Sequence, residues 1–134
     1  GLDNRSAMVR IPPERGGGTR LEIRLGDGAA NAYLMTAALL AAGLDGIRRE
    51  LEPPAASVGY AYEDESRPVL PMTLGDALDA LRADERLIEL MGGPLVDVFE
   101  VMKRDEIERF TEAVGAELPD EVTDWEVKEY FLDL

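Results

Sequence analysis

Two short segments near the start of the chain alternate apolar and polar side chains, and no later segment does. Ser6-Ala7-Met8-Val9-Arg10-Ile11 places Ala7, Val9 and Ile11 on one face and Ser6, Met8 and Arg10 on the other. Thr19-Arg20-Leu21-Glu22-Ile23-Arg24-Leu25 places Leu21, Ile23 and Leu25 against Arg20, Glu22 and Arg24. Between them, Pro12-Pro13-Glu14-Arg15-Gly16-Gly17-Gly18 breaks the chain, which predicts a hairpin with a Gly-rich loop. Gly26-Asp27-Gly28 ends the second strand. Two strands alone are marginal in water, and a hairpin with one apolar and one Arg/Glu/Arg face calls for further strands. The expected fold class is therefore α+β. An Arg-rich β-hairpin from a larger antiparallel sheet (residues 1–28) precedes a mostly helical portion (29–134), the whole reading as the C-terminal part of something larger.

The remainder has helical periodicity. Residues 29–50 predict a long apolar helix, with Ala29–Leu44 buried in a core and too short for a membrane span of about 20 residues. Pro53 to Pro71 is a polar loop. Thr73-Leu74-Gly75-Asp76 marks a helix start, with Leu74, Ala77, Leu78 and Leu81 on one face. Asp84 is placed to cap a short helix carrying Leu87, Ile88 and Met91. Gly92-Gly93-Pro94 breaks again, with Pro94 suited to a first helical position. The next helix is long and amphipathic, with Phe99, Met102, Ile107, Phe110 and Val114 expected inward. Thr123-Asp124-Trp125-Glu126 has the form of a capping box opening a last helix with Trp125, Tyr130 and Phe131.

Charge divides the chain as sharply as periodicity does. The 134 residues carry a net charge of −14. Residues 1–24 hold five arginines (Arg5, Arg10, Arg15, Arg20, Arg24) against Asp3, Glu14 and Glu22, whereas the rest holds nine cations against 25 acids. The acidic excess argues against nucleic acid or an anionic membrane as partner. With no Cys and no His, thiol and imidazole nucleophiles, Ser-His-Asp triads, disulfides and Cys/His zinc sites are excluded from this chain. A metal here has to be a hard cation on carboxylates, Mg²⁺ or Mn²⁺. No segment has signal-peptide character, so a cytoplasmic location is expected.

Arg20-x-Glu22-x-Arg24 sets two guanidinium groups around one carboxylate on a strand face, with neighbours about 7 Å apart. A carboxylate so placed can ligate a divalent metal while the arginines grip phosphate or a substrate carboxylate, with Arg10 in reach on the next strand. The other reading of the same spacing is a solvated sheet face laced by ion pairs, each worth about 0.2–1 kcal/mol.

The order of motifs favours the first. Asn4-Arg5-Ser6-Ala7, Arg10-Ile11-Pro12, Arg20-Leu21-Glu22-Ile23-Arg24, Asp27-Gly28-Ala29-Ala30-Asn31-Ala32-Tyr33-Leu34 and Ala41-Ala42-Gly43-Leu44-Asp45-Gly46-Ile47 together resemble the C-terminal part of the glutamine synthetase catalytic domain. Leu70-Pro71-x-Thr73-Leu74-x-x-Ala77-Leu78 and Trp125-Glu126-x-x-x-Tyr130 extend the resemblance over essentially the whole chain. It implies an ATP-dependent ligase that activates glutamate as γ-glutamyl phosphate for attack by ammonia or another amine. It further implies that Arg5 meets the transferred phosphoryl group and substrate, that Arg10 and Arg20 lie by the nucleotide, that Glu22 ligates Mg²⁺ or Mn²⁺, and that Arg24 holds glutamate. A homo-oligomeric ring is implied for the full-length protein.

The departures from the family pattern are specific. Gly16-Gly17-Gly18 stands where many members carry a loop lysine that touches ATP, with Arg15 as a possible substitute. Gly26-Asp27-Gly28 and Asn31-Ala32-Tyr33 stand for Pro-Asp-Pro and Asn-Pro-Tyr, as in divergent members that couple glutamate to other amines. Tyr62, and next Tyr60, is the counterpart of a tyrosine that some bacterial members adenylylate; beside Glu63, Asp64 and Glu65 an ordinary loop tyrosine is expected. The family's metal-binding His and β-grasp domain have no counterpart here, so the isolated chain is expected to be inactive. Two alternatives stand beside the ligase. One is a helical interaction module without catalysis, and the other is a phosphate- or nucleotide-binding regulator using the arginine hairpin alone.

Overall fold

The computed structural model describes residues 3–64, 66, 68–117 and 119–132. It is mostly helical, with one two-stranded antiparallel sheet, and divides into two compact units, Gly1–Val69 and Leu70–Leu134.

In the first unit β1 (Val9–Arg10) pairs with β2 (Glu22–Ile23), with Val9 opposite Ile23 and Arg10 opposite Glu22. Arg24 N–H donates to the Met8 carbonyl at 3.0 Å, and a 3₁₀ turn at Gly16–Gly18 lies between the strands. Both strands are shorter than the alternation predicts. Among the described residues no third strand is hydrogen-bonded to either, and a lone pair has little to hold its outer residues in register. The apolar face stays open, with Leu21 65%, Ile23 39% and Leu25 48% exposed.

Helix α1 (Ala32–Arg48) starts at Asn31, whose side-chain oxygen accepts from Tyr33 N at 3.0 Å and Leu34 N at 3.1 Å. Asn31 therefore satisfies two of the helix's orphan donors. The expectation that Ala29–Leu44 is a buried helix is overturned. Leu40 is 62%, Leu44 50% and Ile47 75% exposed, and the one buried residue of α1 is Asp45, in an ion pair with Arg49 at 3.2 Å. The physical reason is lack of cover: no other helix or strand among the described residues packs on α1.

The second unit contains α2 (Leu74–Ala83), α3 (Glu85–Met91), α4 (Gly93–Val114) and α5 (Asp124–Val127), the last continuing as a π turn over Lys128–Leu132. Its starts follow the sequence signals. Thr73 Oγ1 accepts from Asp76 N at 3.1 Å and Asp84 Oδ1 from Leu87 N at 2.9 Å. Gly92, at φ 90°, turns the chain from α3 into α4 with Pro94 in the first turn. Both halves of the capping box form, Glu126 N to Thr123 Oγ1 at 3.2 Å and Thr123 N to Glu126 Oε2 at 2.7 Å.

Leu78 and Val96 are buried between α2 and α4. The inward seam of α4 runs through Val96, Phe99, Lys103, Glu106, Ile107 and Phe110, a spacing of three and four residues. Met102 (64% exposed) and Val114 (36%) fall off it, contrary to expectation. Ion pairs tie α2 to α4 outside the seam: Arg82 with Asp97 at 2.7 Å and with Glu100, and Arg104 with Asp79 at 2.5 Å. Trp125 packs edge-on to Phe110 and Tyr130, with ring centroids 5.3 and 6.2 Å apart, while Phe131 points outward.

Candidate functional site: an arginine cluster on the hairpin

The antiparallel register puts Arg10 and Glu22 directly across from each other, and the period of two puts Arg20 on the same side as Glu22. Glu22 is accordingly held from both sides. Arg10 Nη1 donates to Oε2 at 2.6 Å, and Arg20 Nη2 lies 3.0 Å from Oε1. Arg10 is itself shared, because its Nε donates to Asp3 Oδ1 at 3.0 Å and its Nη2 bonds the same oxygen. Arg20 further reaches Glu14 at 3.4 Å and the Gly18 carbonyl at 3.1 Å. The hydrogen bond from Arg10, followed by the charge of Arg10 and the contact with Arg20, holds the Glu22 carboxyl below its usual range.

Arg5 and Arg24 differ from this pair. Arg24 Nε donates to the Arg5 carbonyl at 3.1 Å, leaving its two terminal nitrogens without a carboxylate among the described residues. The exposed Arg5 guanidinium has no hydrogen bond or ion pair among them either. Arg5 lines an open cleft of about 690 Å³ with Asp3, Asn4, Arg10 and the segment 56–59. The five arginines of the start thus split by partner. Arg10 and Arg20 are neutralised around Glu22, and Arg15 donates to the carbonyls of Pro12 (2.6 Å) and Glu14 (2.9 Å). Arg5 and Arg24 have no carboxylate partner among the described residues and are joined through one backbone carbonyl. Such guanidinium forks are matched to carboxylate or phosphate oxygens.

Three residues of the site make contacts that lie outside the motifs the sequence pattern singles out. Asp3 shares Arg10 with Glu22, and Asn4 and Ser6 bond to the distant segment 57–61. For Asn4 and Ser6 the local signal was present, since an Asn two residues before a Ser commonly folds onto it as an Asx turn. Ser6 N–H donates to Asn4 Oδ1 at 3.0 Å. Tyr60 and Tyr62 are exposed and meet edge-on at 5.1 Å; Glu65 lies outside the described residues.

Among the described residues no group of three metal-ligating side chains converges. Glu22 alone, with each oxygen engaged by a guanidinium, does not build a site for Mg²⁺ or Mn²⁺, which need about six oxygen ligands. No helix among the described residues is long and apolar enough to cross a membrane.

The ion pairs set a pH dependence. Arg10 on Glu22, Arg82 on Glu100 and Arg109 on Glu129 each hold a carboxyl below its ordinary 4.5. As pH falls, the unfolded chain therefore takes up protons before the folded one does. The contribution of these pairs is complete above about pH 4.5 and is lost as pH falls through the lower folded values. With no histidine to titrate, the urea midpoint is expected to be flat from about pH 7 to about pH 5.5 and to drop below about pH 4.5. A midpoint that holds steady down to about pH 3 contradicts this assignment.

The strand pair and the residues beside it carry two arginines, Arg5 and Arg24, with no carboxylate partner among the described residues, a surface suited to anions. Comparison with known proteins gives the chain a family. The model of the glutamine synthetase catalytic domain matches residues 1–130. Glutamine synthetase from Pyrococcus horikoshii is 42% identical over 142 residues, covering 98% of this chain and 32% of that protein. Glutamate–methylamine ligase from Methyloversatilis universalis is 42% identical over 137 residues, covering 97% of this chain and 28% of that one. A solved structure described as apo GmaS without ligand superposes with a TM-score of 0.70 at 39% identity, over 98% of this chain and 29% of the other. The chain belongs to the glutamine synthetase family and matches a C-terminal part of its catalytic domain. It spans about a third of the length of the relatives it matches.

Proposed function

We propose that the complete protein carrying these residues is an ATP-dependent ligase joining glutamate to ammonia or another amine, working in the cytoplasm as a homo-oligomeric ring. The observation that carries this reading is the pair of uncompensated guanidinium groups, Arg5 and Arg24, on the hairpin of a chain belonging to this family. In the reaction a γ-carboxylate oxygen of glutamate attacks the terminal phosphorus of ATP and ADP leaves. The amine nitrogen then attacks the acyl carbon of the γ-glutamyl phosphate, loses a proton, and phosphate departs. Negative charge concentrates on the phosphoryl oxygens in the first step and on the acyl oxygen in the second.

In this reading Arg24 holds the glutamate and Arg5 meets the substrate and the phosphoryl group. Arg10 and Arg20 line the nucleotide side, kept in place by Glu22. Glu22 enters the Mg²⁺ or Mn²⁺ site as one ligand of a set the described residues do not complete. The 134 residues alone do not complete the site and are inactive on this reading. The departures at Gly26-Asp27-Gly28 and Asn31-Ala32-Tyr33 leave the amine open, and the relatives include both a glutamine synthetase and a glutamate–methylamine ligase by name. The deciding experiment measures glutamate-dependent ADP release by the complete protein across ammonia, methylamine, longer alkylamines and polyamines. Release stimulated by one class identifies the amine; no stimulation by any of them removes the ligase reading. That outcome would favour the second reading, a non-catalytic helical interaction module, for which the open apolar face of α1 is the supporting observation.

A further inference from the structure

Segment 51–60 has no helix or strand, yet it forms one side of the cleft that Arg5 lines. What ties it to the hairpin is the pair of residues flanking Arg5. Asn4 Nδ2 donates to the Gly59 carbonyl at 2.8 Å and to the Ser57 carbonyl at 3.4 Å. Ala61 N–H donates to Ser6 Oγ at 2.8 Å. The two side chains are themselves locked together, because Ser6 Oγ–H and Ser6 N–H both donate to Asn4 Oδ1, at 2.6 and 3.0 Å. Every donor and acceptor in this set has one consistent role: the amide nitrogen faces carbonyls, the amide oxygen faces N–H and O–H, and the hydroxyl gives one bond and takes one. Gly59 sits at φ 77°, a conformation that suits glycine and that sets the position of the carbonyl Asn4 bonds.

We propose that Asn4 and Ser6 are positioning residues that latch segment 57–61 onto the hairpin and thereby fix Arg5 as the glutamate-facing wall of the cleft; this rests on the ligase reading above. Arg5 is long and flexible, and its guanidinium has no partner of its own among the described residues. Its aim therefore depends on how firmly its backbone is held. The latch grips the residues on either side, and Arg24 Nε grips the Arg5 carbonyl between them at 3.1 Å. Small losses of such alignment cost far more in substrate use than in stability.

The test uses the complete protein with Ser6→Ala, Ser6→Thr and Asn4→Asp. Amide hydrogen exchange at Ala61 reports the latch directly, and steady-state kinetics report its consequence. Ser6→Ala is expected to speed exchange at Ala61 and to raise the KM for glutamate about tenfold with the KM for ATP within about twofold. Ser6→Thr, which keeps the hydroxyl, is expected to restore both. Asn4→Asp keeps the acceptor for Ser6 but sets a carboxylate against the Gly59 carbonyl, and is expected to match Ser6→Ala. Faster exchange with an unchanged KM for glutamate overturns the proposal. So does a parallel rise in both KM values with a lowered melting temperature, the mark of a merely structural role. A wild-type protein with normal protection at Ala61 but no glutamate-dependent ADP release refutes the ligase reading, not the latch geometry.

Discussion

Replacing Glu22 with alanine is expected to lower turnover of the complete protein by about 10²-fold or more and to weaken Mn²⁺ binding. Glu22 accepts from Arg10 on one oxygen and lies within ion-pair distance of Arg20 on the other. Its removal takes away the carboxylate proposed as a metal ligand and leaves two guanidinium groups facing each other across the strand pair with no charge between them. Arg10 keeps Asp3 and Arg20 keeps Glu14, so the hairpin retains anchors and the loss falls on the site more than on the fold. Glu22→Gln keeps the shape and one acceptor but not the charge. It is expected to melt slightly below wild type while losing most of the activity. Metal titration of the three proteins, followed by steady-state rates, checks the assignment. Alanine and wild type with equal Mn²⁺ affinity and equal turnover would refute it.

Replacing Arg24 with alanine is expected to act differently, raising the KM for glutamate by about 10–100-fold and leaving the KM for ATP nearly unchanged. On the proposed reading, the interaction removed is a charge-assisted, two-pronged contact to the glutamate carboxylate. A further consequence follows from the backbone tie: Arg24 Nε is the group that donates to the Arg5 carbonyl. Lysine keeps the charge but has no Nε at that reach and no planar fork, so Arg24→Lys is expected to rescue poorly. Rates measured over a range of glutamate at saturating ATP separate the outcomes. Arg24→Lys behaving like wild type would show that charge alone suffices and that the tie to Arg5 does nothing for substrate use.

These expectations draw on both what the sequence makes legible and what it does not. Signals confined to a few neighbouring residues were readable: Thr73 and Asp84 as caps, Pro94 in a first turn, and the Thr123–Glu126 box each depend on groups three residues apart or closer. Asn31 was a missed signal of the same kind. It interrupts an apolar run, and its meaning as a cap depends on where the helix begins. Burial was less legible. The apolar composition of α1 says that it prefers cover but not that cover is present, and the helix lies open along Leu40, Leu44 and Ile47. On α4 the inward seam passes through Lys103 and Glu106, whose 2.5 Å ion pair lets charged residues sit where the pattern expected Met102.

For the site, the alternation of residues 20–24 predicts Arg20, Glu22 and Arg24 on one strand face; the observed strand is only Glu22–Ile23, and Arg20 but not Arg24 meets Glu22. The alternation does not carry the strand register, and the register is what places Arg10 against Glu22. The ion-pair reading of that spacing is seen directly in Arg10 and Arg20 around Glu22, while Arg24 bonds the Arg5 carbonyl and meets no carboxylate among the described residues. The ties from Asn4 and Ser6 to Gly59 and Ala61 span 55 residues, beyond the reach of any local pattern.

The central claim is that the arginine wall serves a reaction passing through γ-glutamyl phosphate. It is tested most directly by giving the complete protein glutamate labelled with ¹⁸O in the γ-carboxylate, together with ATP and the amine it accepts. If a carboxylate oxygen attacks phosphorus and leaves with it, the inorganic phosphate released carries one ¹⁸O per turnover. Unlabelled phosphate released alongside amide product would contradict the account.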